Sequence, residues 1–330
     1  MKIQKFGRFI LSGWLAVFSL TVAAAHAADQ YPNRPVRLMV PYAPGGATDI
    51  TARQLADGLN KAWGQPVIVE NRPGASGNIA LDMAARSTPD GYTLFVGNVS
   101  TNAINETTFK SLKVKPSRDL TGVTNLIELP HVWVASTAVP ASNLKEFVQY
   151  AKKPGVRINF GSAGVGSYPH LDGVTFLKAA GIDMTHVPYK GGAGQMIPAI
   201  MGNEIQFMLI NMASSLSNIK AGRIKPLAVT TQERRSELPD VPTTAEQGFA
   251  GIGTNAWNAL FAPAKVSKPL LARIHAEVVK VMESPEMKAS LDKRFMSVVV
   301  NKSPAEFDRF VQKEVKKWEK IVIDNNITVE

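Results

Sequence analysis

The sequence contains no cysteine among its 330 residues. Disulfide frameworks, thiolate zinc sites, iron–sulfur clusters, cysteine nucleophiles and a lipidated N-terminal cysteine are therefore excluded. Charged residues make up only 19% of the chain and aromatic residues 8%, whereas hydrophobic residues make up 45%. Disordered, collagen-like and coiled-coil chains have a different balance. We expect a globular protein of about two domains, since single cores stop growing near this length.

The motifs of common catalytic sites are absent as well. The chain has no G-x-S-x-G elbow, no P-loop and no H-E-x-x-H pair. Its four histidines beyond residue 27 are scattered singly, without metal-ligand spacing: His131, His170, His186 and His275. Ser167, His170 and Asp172 form a triad on paper, but this spacing within one helical turn is more typical of capping and packing. We therefore expect neither a metal, a cofactor nor an enzyme.

The N-terminal segment has the three parts of a secretory signal peptide. Lys2, Lys5 and Arg8 precede a largely apolar stretch that ends in the small-x-small pattern of residues 25–27. An uncleaved membrane anchor is the alternative, but the apolar run is short and lacks a basic stop. We predict cleavage after Ala27 and export to the periplasm. Without the three basic residues, 34 basic residues face 27 acidic ones, a net charge of +7.

This positive balance does not indicate a nucleic-acid partner. Basic residues alternate with acidic ones, as in residues 53–61 and 313–320, and no basic run contains aromatic residues suited to base stacking. We interpret these stretches as solvated helix faces.

Short apolar runs alternate with helical patterns in two successive parts of the chain. In the first part, strands are predicted at 36–40, 67–69 and 92–96, with helices at 48–63 and 78–86. In the second part, predicted strands at 158–160, 186–189, 205–210 and 227–230 alternate with helices at 168–180, 193–202 and 213–221. This alternation is typical of parallel sheets covered by helices on both faces. The fold class is therefore α/β, with two units.

Two extended segments have the composition of crossings between the units. They are residues 126–134, which contain Pro130, and residues 248–263, which contain Gly251 and Gly253. The final third is helical: residues 303–306 form a capping box, and an apolar stripe over 307–322 is predicted to pack against the first unit. The predicted domains are 28–128 together with 253–330, and 129–252.

Polar and glycine-rich loops follow the strands of the first unit, where α/β sheets bind ligands. Residues 41–49 contain two prolines and two glycines before a helix, as an anion cradle would, although a plain turn capped by Thr48 or Asp49 is an equal alternative. The loop 70–78 and the polar turn 97–102 follow the next two strands. Such clusters suit a pocket wall, but turn chemistry alone also explains them.

The second unit repeats the pattern in two glycine-rich loops. Residues 160–170 follow a strand and open a helix, with Ser167 as the predicted N-cap. The glycine spacing reverses the dinucleotide fingerprint, so nucleotide binding is disfavoured. Residues 189–194 then place Tyr189 and Lys190 in a second such turn. The two units thus supply two half-sites.

Taken together, these segments resemble the Bug family, the periplasmic solute receptors of tripartite tricarboxylate transporters. The resemblance covers essentially the whole chain after residue 27. The matching segments are 31–36, 44–49, 69–80, 89–94, 187–192, 219–230 and 238–248.

The resemblance implies a two-domain Venus-flytrap fold that closes on a small carboxylate, such as a di- or tricarboxylate, an aromatic acid or an acidic amino acid. It implies that the protein delivers its ligand to transporter membrane subunits, and we expect the protein to be a monomer. A periplasmic hydrolase using Ser167 and His170, and a sensory receptor for a membrane kinase, remain alternatives. Replacing Gly46 or Gly166 by a bulky residue is expected to abolish binding and leave the fold intact.

The resemblance also implies which residues line the cleft. In the first domain they are Gly45, Gly46, Ala47, Thr48, Asp49, Ser76, Asn98, Ser100 and Thr101. In the second domain they are Ser162, Ala163, Gly164, Gly166, Ser167, His170, Tyr189, Lys190, Gly191 and Asn211. The segments 211–215 and 258–263 depart from the family pattern, and the first departure leaves the choice among carboxylates open.

Overall fold

The computed structural model describes residues 31–189 and 192–329. The predicted signal peptide lies outside these residues, as do Lys190 and Gly191. The strands are β1 Val36–Val40, β2 Val67–Asn71, β3 Thr93–Asn98, β4 Leu120–Leu129, β5 His131–Ala135, β6 Asn159–Ser162, β7 Thr185–Pro188, β8 Phe207–Asn211, β9 Lys225–Val229, β10 Ala256–Pro263 and β11 Ser297–Val298. The helices are α1 Ala47–Trp63, α2 Asn78–Ala85, α3 Asn105–Thr108, α4 Pro116–Asp119, α5 Leu144–Ala151, α6 Tyr168–Ala180, α7 Ala193–Met201, α8 Met212–Lys220, α9 Lys268–Met282, α10 Pro285–Asp292 and α11 Pro304–Asp324.

The strands form two sheets, each with its own lobe of helices. The first sheet has the order β11-β4-β10-β3-β1-β2, and the second has the order β7-β6-β8-β5-β9. β1 pairs in parallel with β2 and β3, and β6 pairs in parallel with β7 and β8. We call the units first lobe and second lobe. The predicted parallel α/β units are confirmed, and so are their strands and helices to within a few residues.

The chain passes between the lobes twice. It leaves the first sheet at the end of β4 and enters the second at β5, with Pro130 between them; it returns between β9 and β10. We call residues 129–131 the first crossing and residues 230–256 the second crossing. The predicted crossing between the units within 126–134 is confirmed at residues 129–131, but the prediction missed that β4 and β5 flank it as strands of different sheets. Residues 256–263 are likewise the strand β10, which pairs with both β3 and β4.

Each sheet packs in a hydrophobic core. In β1 four of the five side chains are buried, as expected for a strand covered on both faces. The predicted stripe on α11 lies against the first core, where Phe307, Trp318 and Val322 are buried. Each fully buried side chain of this size contributes about 1.5–3 kcal/mol. In the described ranges, none of the helices has the length and apolarity needed to cross a membrane.

Candidate functional site

Three loops at the carboxyl ends of the first sheet and one in the second lobe build the candidate site. Loop A is residues 41–46, loop B is 72–77 and loop C is 98–101. Loop D, residues 162–167, joins β6 to α6 in the second lobe. All four follow strands that the sequence predicted, at the sheet edge where helix N-termini point outward.

Loop A is held in shape by the buried carboxylate of Asp49. This carboxylate accepts hydrogen bonds from the Gly45 N–H (2.9 Å), from Asn71 Nδ2 (2.9 Å) and from the guanidinium of Arg53. Burial would raise the pKa of Asp49, but these hydrogen bonds outweigh it and hold the pKa below its ordinary value. Because both oxygens are occupied, we infer that Asp49 shapes the loop rather than contacting an anion.

The start of α1 differs from the predicted capped turn. Neither Thr48 nor Asp49 is the N-cap. That position is taken by Gly46, which has no side chain that could accept a hydrogen bond from the helix. Thr48 Oγ1 instead lies 3.3 Å from Asn258 Oδ1 on β10. The N-terminus of this 17-residue helix therefore has no side chain covering its first N–H groups.

Loops B and C pack against each other. A Cβ placed on Gly77 would lie 2.6 Å from the Thr101 methyl group, so only glycine fits there. In loop C, the Asn98 N–H donates to Thr101 Oγ1 (3.0 Å) and the Thr101 N–H donates to Asn98 Oδ1 (3.1 Å). Asn98 and Thr101 thus stabilise the turn itself, which was the alternative to a role in a pocket wall, because these hydrogen bonds are made within the loop. Tyr42 adds a hydrogen bond from its hydroxyl to Asn98 Oδ1 (3.3 Å).

Loop D is tightened by two serine hydroxyls. Ser162 Oγ accepts from the Gly164 N–H (3.1 Å), and Ser167 Oγ donates to the Gly164 carbonyl (2.7 Å). Ser167 is the N-cap residue of α6, as predicted, but its side chain does not accept a hydrogen bond from the helix. The Gly166 N–H donates to His170 Nδ1 (3.2 Å). These hydroxyls fold the glycine loop back on itself.

The two lobes face each other across these loops. A Cβ placed on Gly164 of loop D would lie 3.9 Å from Ser76 Oγ of loop B. Ser100 Oγ of loop C accepts from the Tyr168 N–H at the start of α6 (3.4 Å). The structure therefore brings loops B and C opposite loop D, which joins the two predicted half-sites.

Two further predicted site residues, Asn211 and Tyr189, make hydrogen bonds within the second lobe. Asn211 is the N-cap of α8, and its Oδ1 accepts from the Ser214 N–H (2.8 Å), which occupies part of its polar surface. Tyr189 is partly exposed, and its N–H donates to the Ser162 carbonyl (2.9 Å). Burial, together with Glu204, raises the pKa of Tyr189. Lys190 and Gly191 lie outside the described residues.

Two of the scattered histidines meet behind loop D. The rings of His170 and His186 stack with centroids 4.0 Å apart, and the Phe160 ring packs against both, 4.8 Å from His186 and 6.2 Å from His170. His186 Nε2 lies 2.6 Å from Ser162 Oγ. Burial lowers the pKa of both histidines to about 4, so both are neutral at neutral pH. Phe160 and His186 are paired residues of the parallel strands β6 and β7, a register that the sequence pattern alone does not reveal.

Ser167, His170 and Asp172 do not hydrogen-bond one another as a catalytic triad would. The Ser167 hydroxyl is directed to the Gly164 carbonyl, His170 Nδ1 accepts from a backbone N–H, and Asp172 accepts from Thr254. A nucleophile and its base must hydrogen-bond each other. No group of three or more metal-ligating side chains occurs within residues 31–189 and 192–329.

Comparison with known proteins gives consistent matches over nearly the whole chain. Residues 51–327 match the family described as tripartite tricarboxylate transporter family receptor. A UPF0065 protein of Bordetella pertussis is 33% identical over 311 residues, which are 94% of this chain and 95% of that protein.

Two solved structures from Rhodopseudomonas palustris are similar in fold. Rpa4515 with adipate has a TM-score of 0.84 at 30% identity and covers 90% of this chain and 99% of its own. MatC with bound malate has a TM-score of 0.80 at 30% identity and covers 88% of this chain and 100% of its own. The predicted two-domain flytrap fold is therefore confirmed.

Proposed function

Because the chain belongs to the tripartite tricarboxylate transporter receptor family, we propose that it is a solute receptor that binds a small carboxylate between its lobes. The observation that carries this proposal is the opposition of loop B and loop D, in which Ser76 and Gly164 face each other. Relatives at 30% identity were solved with adipate and with malate, which are both dicarboxylates. These ligands favour a carboxylate for this chain too.

The chemistry of the loops supports the same ligand class. The helices α1 and α6 begin at loops A and D, and the unpaired N–H groups of a helix N-terminus attract anions. Each such end contributes about 0.3–1 kcal/mol, and more where water is excluded. The proposed contacts are the residues that the sequence placed in the cleft, with loop amides as principal donors. Asp49, whose oxygens are already bonded, acts through the shape of loop A.

The family is described as a transporter receptor family, which supports a cellular role in solute uptake. We propose that the chain is exported through its N-terminal segment, with cleavage after Ala27, and works in the periplasm as a monomer. It would hand its ligand to transporter membrane subunits without chemical conversion. The domain limits 28–128 with 253–330 and 129–252 stay a prediction.

The first test is thermal unfolding of refolded, ligand-free protein 28–330 with adipate, malate, citrate, acetate, benzoate and glutamate. A ligand at 100 times its dissociation constant adds about 2.7 kcal/mol of stability, or several degrees. We expect the unfolding temperature to rise with one chemical class, the dicarboxylates first. An unfolding temperature unmoved by every acid would contradict carboxylate binding at these concentrations.

A matched pair of variants tests the position of the anion. Gly46 has φ −80°, and no atom lies within 4 Å of an added Cβ, so Gly46→Asp and Gly46→Asn both fit. Both side chains are good N-caps. Only the aspartate adds a negative charge, and at about 5 Å this repulsion is expected to weaken dicarboxylate affinity at least tenfold. Equal affinities for the two variants, measured by calorimetry, would place the carboxylate elsewhere.

A further inference from the structure

The first turn of α6 is bonded to both crossings of the chain. Tyr168 and Asp172 are four residues apart and therefore share one helix face. The Tyr168 hydroxyl lies 2.6 Å from His131 Nε2 in the first crossing. The Asp172 carboxylate accepts from the N–H (3.0 Å) and the hydroxyl (3.1 Å) of Thr254 in the second crossing.

These contacts are buried and their donors and acceptors are assigned. His131 Nδ1 lies 2.8 Å from the Leu129 carbonyl, so Nδ1 carries the proton and Nε2 accepts from Tyr168. His131 is fully buried, and Asp172 and Thr254 are 5% and 4% exposed. Breaking a buried hydrogen bond is costly, because it leaves a buried donor or acceptor without a partner. Both contacts therefore hold α6 firmly to the crossings.

The two crossings are also bonded to each other. The Thr230 N–H donates to the His131 carbonyl (3.0 Å), and the Thr230 hydroxyl donates to Asn255 Oδ1 (2.8 Å). A Cβ placed on Gly253 would lie 2.5 Å from the Thr230 methyl group. The crossings thus form one hydrogen-bonded unit on which α6 is seated.

The same end of α6 carries loop D and touches the opposite lobe. The Tyr168 N–H donates to Ser100 of loop C, while the Tyr168 hydroxyl reaches the first crossing. Any change in the angle between the lobes must pass through the two crossings, since they are the chain connections between the sheets. Tyr168 and Asp172 therefore connect that angle to the orientation of loop D.

We infer that Tyr168 and Asp172 are positioning residues for ligand binding: they bond the crossings and set ligand affinity by fixing the angle between the lobes. This inference rests on the proposed receptor function. The apparent affinity of a protein falls with the fraction of molecules in the binding-competent state. Loosening either contact lowers that fraction without removing a ligand contact.

Four variants test the inference. Tyr168→Phe removes only the hydroxyl, and Asp172→Ala removes both acceptors. Asp172→Asn is the conservative rescue, because its Oδ1 accepts from the Thr254 N–H while its Nδ2 donates to the Thr254 hydroxyl. Thr175→Val is the control on the same helix, since its hydroxyl bonds only the Leu171 carbonyl.

The first readout needs no ligand. The chain lacks cysteine, so Met83→Cys and Met201→Cys, each at a methionine 41% exposed and one in each lobe, allow selective spin labelling. We expect Tyr168→Phe and Asp172→Ala to broaden or shift the interlobe distance distribution from double electron–electron resonance. Asp172→Asn and Thr175→Val should match the parent. Identical distributions for all four variants would overturn the inference.

The second readout is affinity for adipate and malate, measured by calorimetry. Losing the hydrogen bond of Tyr168 or the pair of hydrogen bonds of Asp172 is expected to weaken binding at least tenfold in Tyr168→Phe and Asp172→Ala, with Asp172→Asn close to the parent. Should Asp172→Ala fail to fold, Thr254→Val removes one of the two bonds instead. If neither acid binds the parent, the proposed ligand class fails, and the distance measurement still decides the positioning role. If the parent binds and all variants bind equally, the positioning role fails alone.

Discussion

At the scale of single residues, two loop glycines have different structural roles. Gly46 has an ordinary φ and open space around it. Gly166 has φ +78°, and a Cβ there would lie 3.1 Å from a methyl group of Thr108 and 3.2 Å from one of Val329. A bulky residue at Gly166 would therefore strain the backbone and the packing, which argues against the expectation that this variant leaves the fold intact. Only the Gly46 variants separate binding from folding.

We expect Gly166→Ala to lower the free energy of unfolding by about 1–2 kcal/mol, because a left-handed backbone is unfavourable for alanine and the site is tight. Urea unfolding measures this change. Gly46→Ser, a favourable N-cap substitution, serves as the control and should change stability by a few tenths of a kcal/mol. A loss at Gly166 no larger than that at Gly46 would contradict the strain argument.

The positions of the loop residues could be predicted from the sequence, but their hydrogen-bond partners could not. Asp49 and Ser167 lie beyond strand ends, as predicted, and Asn211 is the last residue of β8. Their oxygens, however, bond Asn71 and Arg53, the Gly164 carbonyl, and the Ser214 N–H. Short polar side chains suit turns and ligands equally well, so local sequence does not choose between the two uses.

At the scale of elements, the predicted N-cap of α11 at Ser303 is confirmed, but the return bond of the predicted capping box goes to the residue before the N-cap. Ser303 Oγ accepts from the Glu306 N–H (3.2 Å), and the Glu306 carboxylate accepts from the Lys302 N–H (3.2 Å). We expect Ser303→Ala to cost about 1 kcal/mol of unfolding free energy in urea titration. The exposed Gln312→Ala in the same helix should stay within about 0.5 kcal/mol. Equal small effects would show that packing alone fixes this helix.

The strand β5 shows why some elements escaped prediction. An apolar run interrupted by Pro130 has the composition of a crossing, and the hydrophobic pattern does not encode which sheet a strand joins. In the structure β4 and β5 lie on either side of this proline in different sheets. The local pattern therefore predicted regular βα repeats well, and missed the antiparallel strands whose partners are far along the chain.

At the scale of the whole molecule, the buried histidines and the buried Asp172 change the stability of the fold in opposite directions as the pH changes. Burial lowers the pKa of His131, His170 and His186 from 6.5 to about 4. Their contribution to stability is present above pH 6.5 and lost as the pH falls through about 4. Burial raises the pKa of Asp172 from 3.8 to about 7, despite its Thr254 hydrogen bonds and the charge of Lys317. Its contribution is present below pH 3.8 and lost as the pH rises through 7.

These opposite signs predict how Asp172→Asn changes the pH profile of stability. The variant keeps both hydrogen-bonding positions but has no charge to desolvate, so it should gain in unfolding temperature relative to the parent at pH 8. That gain should shrink as the pH falls to 5, because Asp172 is then protonated in the folded parent. Both proteins should lose stability from pH 6.5 toward 4, because over this range the histidines bind protons in the unfolded state while the buried ones stay neutral. Thermal unfolding of both proteins between pH 4 and 8 measures these curves, and parallel curves would show that Asp172 does not titrate in this range.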